Sequence, residues 1–352
     1  MYKIPHSKSY VGETDGLVTK EQVDSGMHAT GEKTKEFEDK LSELIKSNYA
    51  KATTSGTTAL HLALLSLNIK QGDEVILPSY VCQAVLNAVN YTKAKPILAD
   101  IDSNFENGYN ISAKTIQPLI TNNTKAIIVP HMFGIPAELD PIIKLGIPII
   151  EDCAQALGGD YNGKKLGSIG DIGIFSFYAT KLISTGNGGM VTTNSEKLKQ
   201  KLKILTTYDK TESYTLGYNY NMSDIQSSLG ISQLNNLNKF IEKRKQIAEK
   251  YNKAFKDLNI LLPNPNNVLP FRYVIMLKNK QQRDELQNKL KHIGINAEFP
   301  VFKPLHQYLN LNPNNFQNTE LAHNTTLSIP IYPALTDKEV EYIIESVVSF
   351  LS

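Results

Sequence analysis

"IIEDCAQALGGDYNGKKLGSIGDIGIFSFYATKLISTGNGGMVTTN", residues 149–194, decides the fold. It carries three short apolar, β-rich runs: "IPIIEDC" at 147–153, "DIGIFSF" at 171–177 and "GGMVTTN" at 188–194. Runs of that length and character read as strands buried on both faces. Glu151 and Asp152 close the first run, where a carboxylate is costly without a partner. Lys181 is the one lysine between the second run and the glycine cluster.

The pattern continues toward the N-terminus. "DEVILP" (73–78), "KPILADI" (95–101) and "KAIIVPHMF" (125–133) are strand-like, with helix-length segments at Gln83–Tyr91 and Ala137–Lys144. Residues 34–47 place Phe37, Leu41, Leu44 and Ile45 at helical spacing. "TTSGTTALHLALLSLNI" (53–69) is apolar nearly all round and predicts a buried helix capped by Ser55 or Thr57. Strands alternating with helices predict an α/β fold with a mostly parallel sheet between helices. In such sheets ligands bind beyond the carboxyl ends of the strands.

After residue 220 the character changes. Residues 221–259 predict one long helix, capped by Asn221 or Ser223 and lightly interrupted at Gly230. "PNPNN" (263–267) breaks it. A strand at 271–277, a helix at 281–294, a strand "NAEFPV" at 296–301 and a helix at 337–351 follow. The expected division is a large domain over 31–239 and a small C-terminal α/β domain over 240–352, with residues 1–30 as an arm packing near the small one.

Composition excludes several classes. The 37 basic and 35 acidic residues nearly cancel, which argues against a nucleic-acid partner. Cys82 and Cys153 form no CxxC and adjoin no run of histidines, so no metal site is expected, only two reduced, buried thiols. No apolar stretch approaches the about 20 residues of a membrane span. The N-terminal "MYKIPHSKSYVGETDG" lacks a signal-peptide core. The expectation is a soluble cytoplasmic protein acting on small molecules, with no membrane partner.

Four features fall at strand ends or helix starts. "TSGTT" (54–58) opens the buried helix, where N–H groups and hydroxyls suit a phosphate or simply cap the helix. Asp152 serves either a protonated ring nitrogen or a helix cap. Ser176 lies on the opposite strand face from Phe175 and Phe177. Lys181, walled by apolar residues, can lose its proton and attack an aldehyde. Pyridoxal 5′-phosphate needs an amine, an anion for its ring nitrogen, a phosphate cradle and close packing. All four occur here.

The order and wording of these segments resemble the DegT/DnrJ/EryC1/StrS sugar aminotransferases, fold type I enzymes that use pyridoxal phosphate. The resemblance covers "TGEKTKEFE", the 54–79 block, residues 149–194, "GYNYNMSDIQSSLGISQL" and "LSIPIYPALTDKEV". It implies that Lys181 forms the internal aldimine and shuttles the proton, and that Asp152 pairs with the ring nitrogen. It places Gln155 beside the ring and its phenolic oxygen, and Gly56, Thr57 and Ser176 on the phosphate. It sends Asn219 to the phosphate of a neighbouring subunit in a homodimer with shared sites. It puts Tyr80, Cys82 and His306 near the substrate. Cys82 stands where many members carry an aromatic residue, and Asn221 replaces the arginine of "GYNYR". The implied reaction moves an amino group from an amino acid, glutamate by resemblance, to a keto sugar nucleotide. A keto-cyclitol or other small ketone is the alternative acceptor. A sugar dehydratase of the same family is a second alternative, which Lys181 opposes because those members carry histidine there. A regulator that senses the cofactor would need a DNA-binding module. A nucleotide-binding protein would need GxGxxG or GxxxxGK[ST]. Neither feature is evident.

Overall fold

The computed structural model describes residues 3–105, 108–264 and 269–352. The strands are β1 Tyr49–Thr53, β2 Glu74–Pro78, β3 Lys95–Ala99, β4 Thr124–Pro130, β5 Ile149–Asp152, β6 Asp160–Tyr161, β7 Lys164–Lys165, β8 Ile172–Ser176, β9 Gly189–Thr193, β10 Tyr273–Met276 and β11 Thr326–Ile329. Seven of them make one sheet in the order β1-β9-β8-β5-β4-β2-β3. Every neighbouring pair is parallel except those that include β9, which alone runs back.

Side-chain alternation explains why the central strands are mostly apolar on both faces. Val75, Leu77, Ile128, Ile174 and Val191 face one layer with Leu60, Leu64 and Val85. Ile76, Ile127, Val129, Phe175 and Met190 face the other, with Phe37, Leu41 and Ile142. Successive residues of a strand point to opposite faces, so a sheet covered on both sides needs apolar residues at most positions.

A separate apolar cluster forms around β10 and β11. It joins Ile247, Tyr251, Phe255, Leu286, Leu290, Ile343 and Val347 to Ile4. The helix Leu237–Phe255 runs between the two regions. Leu237 and Phe240 pack into the sheet layer, while Ile247, Tyr251 and Phe255 pack into the C-terminal cluster. The boundary expected at 239/240 therefore falls inside a continuous helix.

Several expectations need correction. The 221–259 pattern is two helices, Asp224–Asn235 and Leu237–Phe255, parted at Asn236 rather than at Gly230. Gly230 continues its helix because Phe37 packs there; a Cβ would sit 2.8 Å from that ring. Ser223, not Asn221, is the cap, its hydroxyl accepting from Gln226 N–H. "NAEFPV" forms only one bridge, Glu298 to Ser328. The N-terminal arm divides. Ile4 bridges Ile295 near the C-terminal cluster, but the helix Glu13–Asp24 lies on Asp224–Asn235. There Asp15 accepts from Ser232 at 2.6 Å and Gln233 at 2.7 Å. Part of the "PNPNN" break lies outside the described residues.

Glu151, beside Asp152 on β5, is fully buried and belongs to the scaffold. It accepts from the N–H groups of Gly167, Ile169 and Gly170 at 2.9, 2.7 and 2.7 Å, with His131 Nε2 at 3.3 Å. These bonds hold its carboxyl below the usual range against the opposing effect of burial. Glu151→Ala leaves these donors unpaired, so urea unfolding is expected to show a loss of about 2 kcal/mol. An unchanged midpoint would mean the 167–170 turn finds other acceptors. Cys153 approaches His131 and Glu151, all three ligand atoms lying within 4.8 Å. This proximity was not legible in the sequence, and the His131 and Glu151 atoms are already bonded to the chain.

Candidate active site

A cleft of about 340 Å³ opens at the carboxyl edge of the sheet. Its walls include Gly56, Thr57, Cys82, Asp152, Ser176, Thr180, Lys181 and Asn187. These residues come from the ends of β1, β2, β5 and β8 and the start of β9, as the topology dictates.

One wall is the start of the helix Gly56–Ser66. Ser55 caps it, its hydroxyl accepting from Thr58 N–H at 3.1 Å while Thr58 reaches back to Ser55 N–H at 3.0 Å. Among the described residues, the Gly56 and Thr57 N–H groups have no acceptor in the chain. Two glycines bring this helix start against the sheet. A Cβ on Gly56 would lie 2.8 Å from Ser176 Cβ, and one on Gly189 would lie 2.3 Å from Ser55 O. The result is a helix N-terminus with free donors beside the Ser176 hydroxyl, a fitting seat for a phosphate dianion.

Asp152 is buried at the end of β5. Its Oδ1 accepts from Ala154 N–H at 3.0 Å. Among the described residues, Oδ2 has no partner. Burial pushes the carboxyl pKa up, opposed by the Ala154 N–H and by the charge of Lys181. An open carboxylate oxygen of this kind suits a cationic N–H.

Lys181 sits in the loop between β8 and β9. Among the described residues its ammonium makes no ion pair; its nearest defined contact is the Phe271 ring, 5.4 Å from the centroid. Burial lowers its pKa, while Cys82 and Asp152 act the other way. The residue therefore reaches its neutral, nucleophilic form more readily than a solvated lysine.

Of the two thiols expected to be buried, only Cys153 is; Cys82 is exposed and faces the cleft at the start of the helix Gln83–Tyr91. The protein packed around it pushes its thiol pKa up, partly offset by Lys181. Gln155 is not among the residues that line the cleft, and its Oε1 accepts from Phe133 N–H at 2.9 Å. Asn219 is exposed and makes no side-chain hydrogen bond among the described residues. Asn221 gives its Nδ2 to Thr206 O at 3.1 Å, and its Oδ1 is buried without a partner.

Tyr80 and His306 are corrected. Neither lines the cleft, and both are fully buried. Tyr80 bonds Thr326 at 2.9 Å and packs on Tyr109 and Phe133. His306 spends both ring nitrogens, on Ser79 at 2.7 Å and Glu320 at 2.8 Å, and stacks on Phe316 at 4.5 Å. They join the sheet to the C-terminal segments. The sequence reading passed over Arg244, Phe271 and Arg272, which gather behind Lys181. An arginine inside the apolar run "FRYVIML" was the available signal.

Known proteins resemble this chain in sequence and fold. The DegT/DnrJ/EryC1/StrS aminotransferase family model matches residues 11–348. A GDP-perosamine synthase of Escherichia coli O157:H7 is 35% identical over 92% of this chain and 91% of its own. PseC of Helicobacter pylori, an aminotransferase involved in the biosynthesis of pseudoaminic acid, superposes with a TM-score of 0.91 at 27% identity, covering 99% of both chains. Spr1654 of Streptococcus pneumoniae, in its pyridoxal-phosphate form, superposes with a TM-score of 0.92 at 27% identity over all of both chains. The buried lysine, open carboxylate and phosphate seat fit the same cofactor, and the chain is a pyridoxal-phosphate-dependent aminotransferase of the DegT/DnrJ/EryC1/StrS family.

Proposed function

We propose that the chain transfers an amino group from an amino acid to the keto group of a nucleotide-linked sugar. The observation that carries this reading is Lys181 and Asp152 in one cleft, with Lys181 Nζ and Asp152 Oδ2 left without a hydrogen-bond or ion-pair partner among the described residues. The two sugar-related relatives support the acceptor class. Pyridoxal phosphate supplies an aldehyde that takes up amines and a protonated ring that accepts the electron pair left by a departing proton.

The chain's residues divide the remaining work. Gly56 and Thr57 N–H, with Ser176, would hold the phosphate. Asp152 Oδ2 would keep the ring nitrogen protonated. Gln155, its oxygen already fixed by Phe133, would offer its Nε2 hydrogens to the phenolic oxygen. Cys82 would face the ring at the position many relatives give to an aromatic residue. Lys181 Nζ would hold the cofactor between turnovers. In each half-reaction it would move one proton between the substrate carbon and the cofactor, taking it from the donor Cα in the first and delivering it to the sugar carbon in the second.

The test loads the protein with the aminated cofactor and follows its absorbance as keto sugar nucleotides are added. Loss of the band is expected. A response to keto-cyclitols alone would overturn the acceptor class.

Asn219 extends the reading to a homodimer. Its side chain is exposed and makes no hydrogen bond among the described residues, so a second subunit would use it to complete a phosphate site. Mixing Lys181→Ala with Asn219→Ala subunits should then recover activity, because a heterodimer regains one site with both residues. The mixture is informative once Asn219→Ala alone is strongly impaired. Heterodimers that form without recovery, or a fully active monomer, would sink the shared site.

A further inference from the structure

Phe271 lies where the cleft meets a smaller pocket, and three cations surround its ring. Lys181 Nζ is 5.4 Å from the centroid, and the guanidinium carbons of Arg244 and Arg272 are each 5.8 Å away. Thr180 lines both cavities, so the pocket opens beside the lysine.

The two guanidinium groups lack an acidic partner. Among the described residues neither has a carboxylate within ion-pair distance. Arg244 gives Nη1 to the carbonyls of Phe271 and Ile331 at 2.9 and 2.7 Å, and its Nε is unpaired. Arg272 makes one side-chain bond, to His6 Nε2 at 3.4 Å. His6 cannot balance the charge: burial and the two arginines push its pKa down to about 3, so it is neutral. Glu298 reaches Arg272 only through space, and it also faces His6 Nδ1 at 3.7 Å. Two largely buried guanidinium groups beside a lysine, with no carboxylate among them, favour an incoming anion.

The geometry points to Arg272 as the residue that receives the carboxylate of the amino donor. Arg244, fixed by two carbonyls, holds the backbone at Phe271 and adds to the positive potential. The donor is favoured over the acceptor's phosphates by connectivity. An amino acid carries its carboxylate on the same carbon as its amine, so the carboxylate arrives beside Lys181 together with the amine. In a keto sugar nucleotide, sugar-ring atoms separate the reacting carbon from the phosphates.

This inference rests on the aminotransferase reading, and one experiment separates the two. Cofactor-loaded wild type, Arg272→Leu and Arg272→Lys are titrated with L-glutamate and L-alanine and with their α-amides, which lack only the α-carboxylate charge, following the visible cofactor band. The acceptor half-reaction is measured separately from the aminated enzyme, and thermal melting checks the fold. Arg272→Leu should raise the half-saturating amino acid concentration on the order of thirtyfold while leaving the α-amides unchanged. The acceptor half-reaction should be preserved, and Arg272→Lys should recover part of the loss. Equal losses for acids and amides, no loss, or a loss confined to the acceptor would each overturn the role of Arg272. A wild type that reacts with no amino acid would overturn the donor class itself.

Discussion

In Lys181→Ala protein, borohydride should fix no cofactor and transamination should fall by at least about a thousandfold. The size of the effect follows from two roles resting on one nitrogen, the covalent hold and the proton transfer. The phosphate seat at Gly56 and Thr57 and the carboxylate of Asp152 survive the substitution, so cofactor should still bind, reversibly. Wild type should yield a single labelled peptide containing Lys181. Lys164 and Lys165 are the natural controls. They lie on the β6–β7 hairpin, outside the cleft lining. Label on either of them, or full activity in Lys181→Ala, would refute the assignment.

Asp152→Asn should cost at least about a hundredfold in rate, roughly 2.7 kcal/mol of barrier. Asparagine keeps the shape, and its oxygen can still accept from Ala154 N–H. The substitution removes the charge that would hold a proton on the ring nitrogen. The competing explanation has the wrong sign. The Asp152 charge raises the Lys181 pKa, so removing it should leave more neutral amine and not less. The rate should therefore fall much further than cofactor affinity, measured by equilibrium titration. An unchanged rate would reduce Asp152 to the support of the Ala154 turn.

Six of the seven sheet strands were legible because they obey a local rule; β1, with Lys51 at its centre, was passed over. A strand covered on both faces is mostly apolar, and 73–78, 95–101, 125–133, 147–153, 171–177 and 188–194 each carry such an apolar run, with their polar residues mainly toward the ends. Asp152, Ser176 and Lys181 were legible because polar groups at the ends of such runs need a purpose. The structure brings all three into one cleft. What escaped depends on contacts far apart in sequence. Nothing local marks Asn236 as a helix break, since the neighbouring "NNLN" has neither Gly nor Pro. Gly230 looked like a break until Phe37 arrived to fill its surface. Tyr80 and His306 carry polar atoms suited to a substrate, yet those atoms are spent on Thr326, Ser79 and Glu320, distant in the chain or across elements. The hairpin at 160–165 was local and was passed over. Asn162 and Gly163, both at positive φ (51° and 78°), form the Asn-Gly turn that suits a two-residue loop.

The reversed direction of β9 bears on how this protein can change over generations. Because β8 and β9 are antiparallel neighbours, the stretch from Phe177 to Gly188 leaves and re-enters the sheet at the same edge. Its two anchors, Ser176 and Gly189, are register partners. They are thus held one strand spacing apart, about 4.8 Å. An inserted or deleted residue there has no distant crossover in which to dissipate; it moves the Lys181 amine relative to Asp152. The Asn162–Gly163 turn, which is exposed and contributes no wall to the cleft, has no such restriction. Length variation should therefore be tolerated at that turn and purged between 177 and 188.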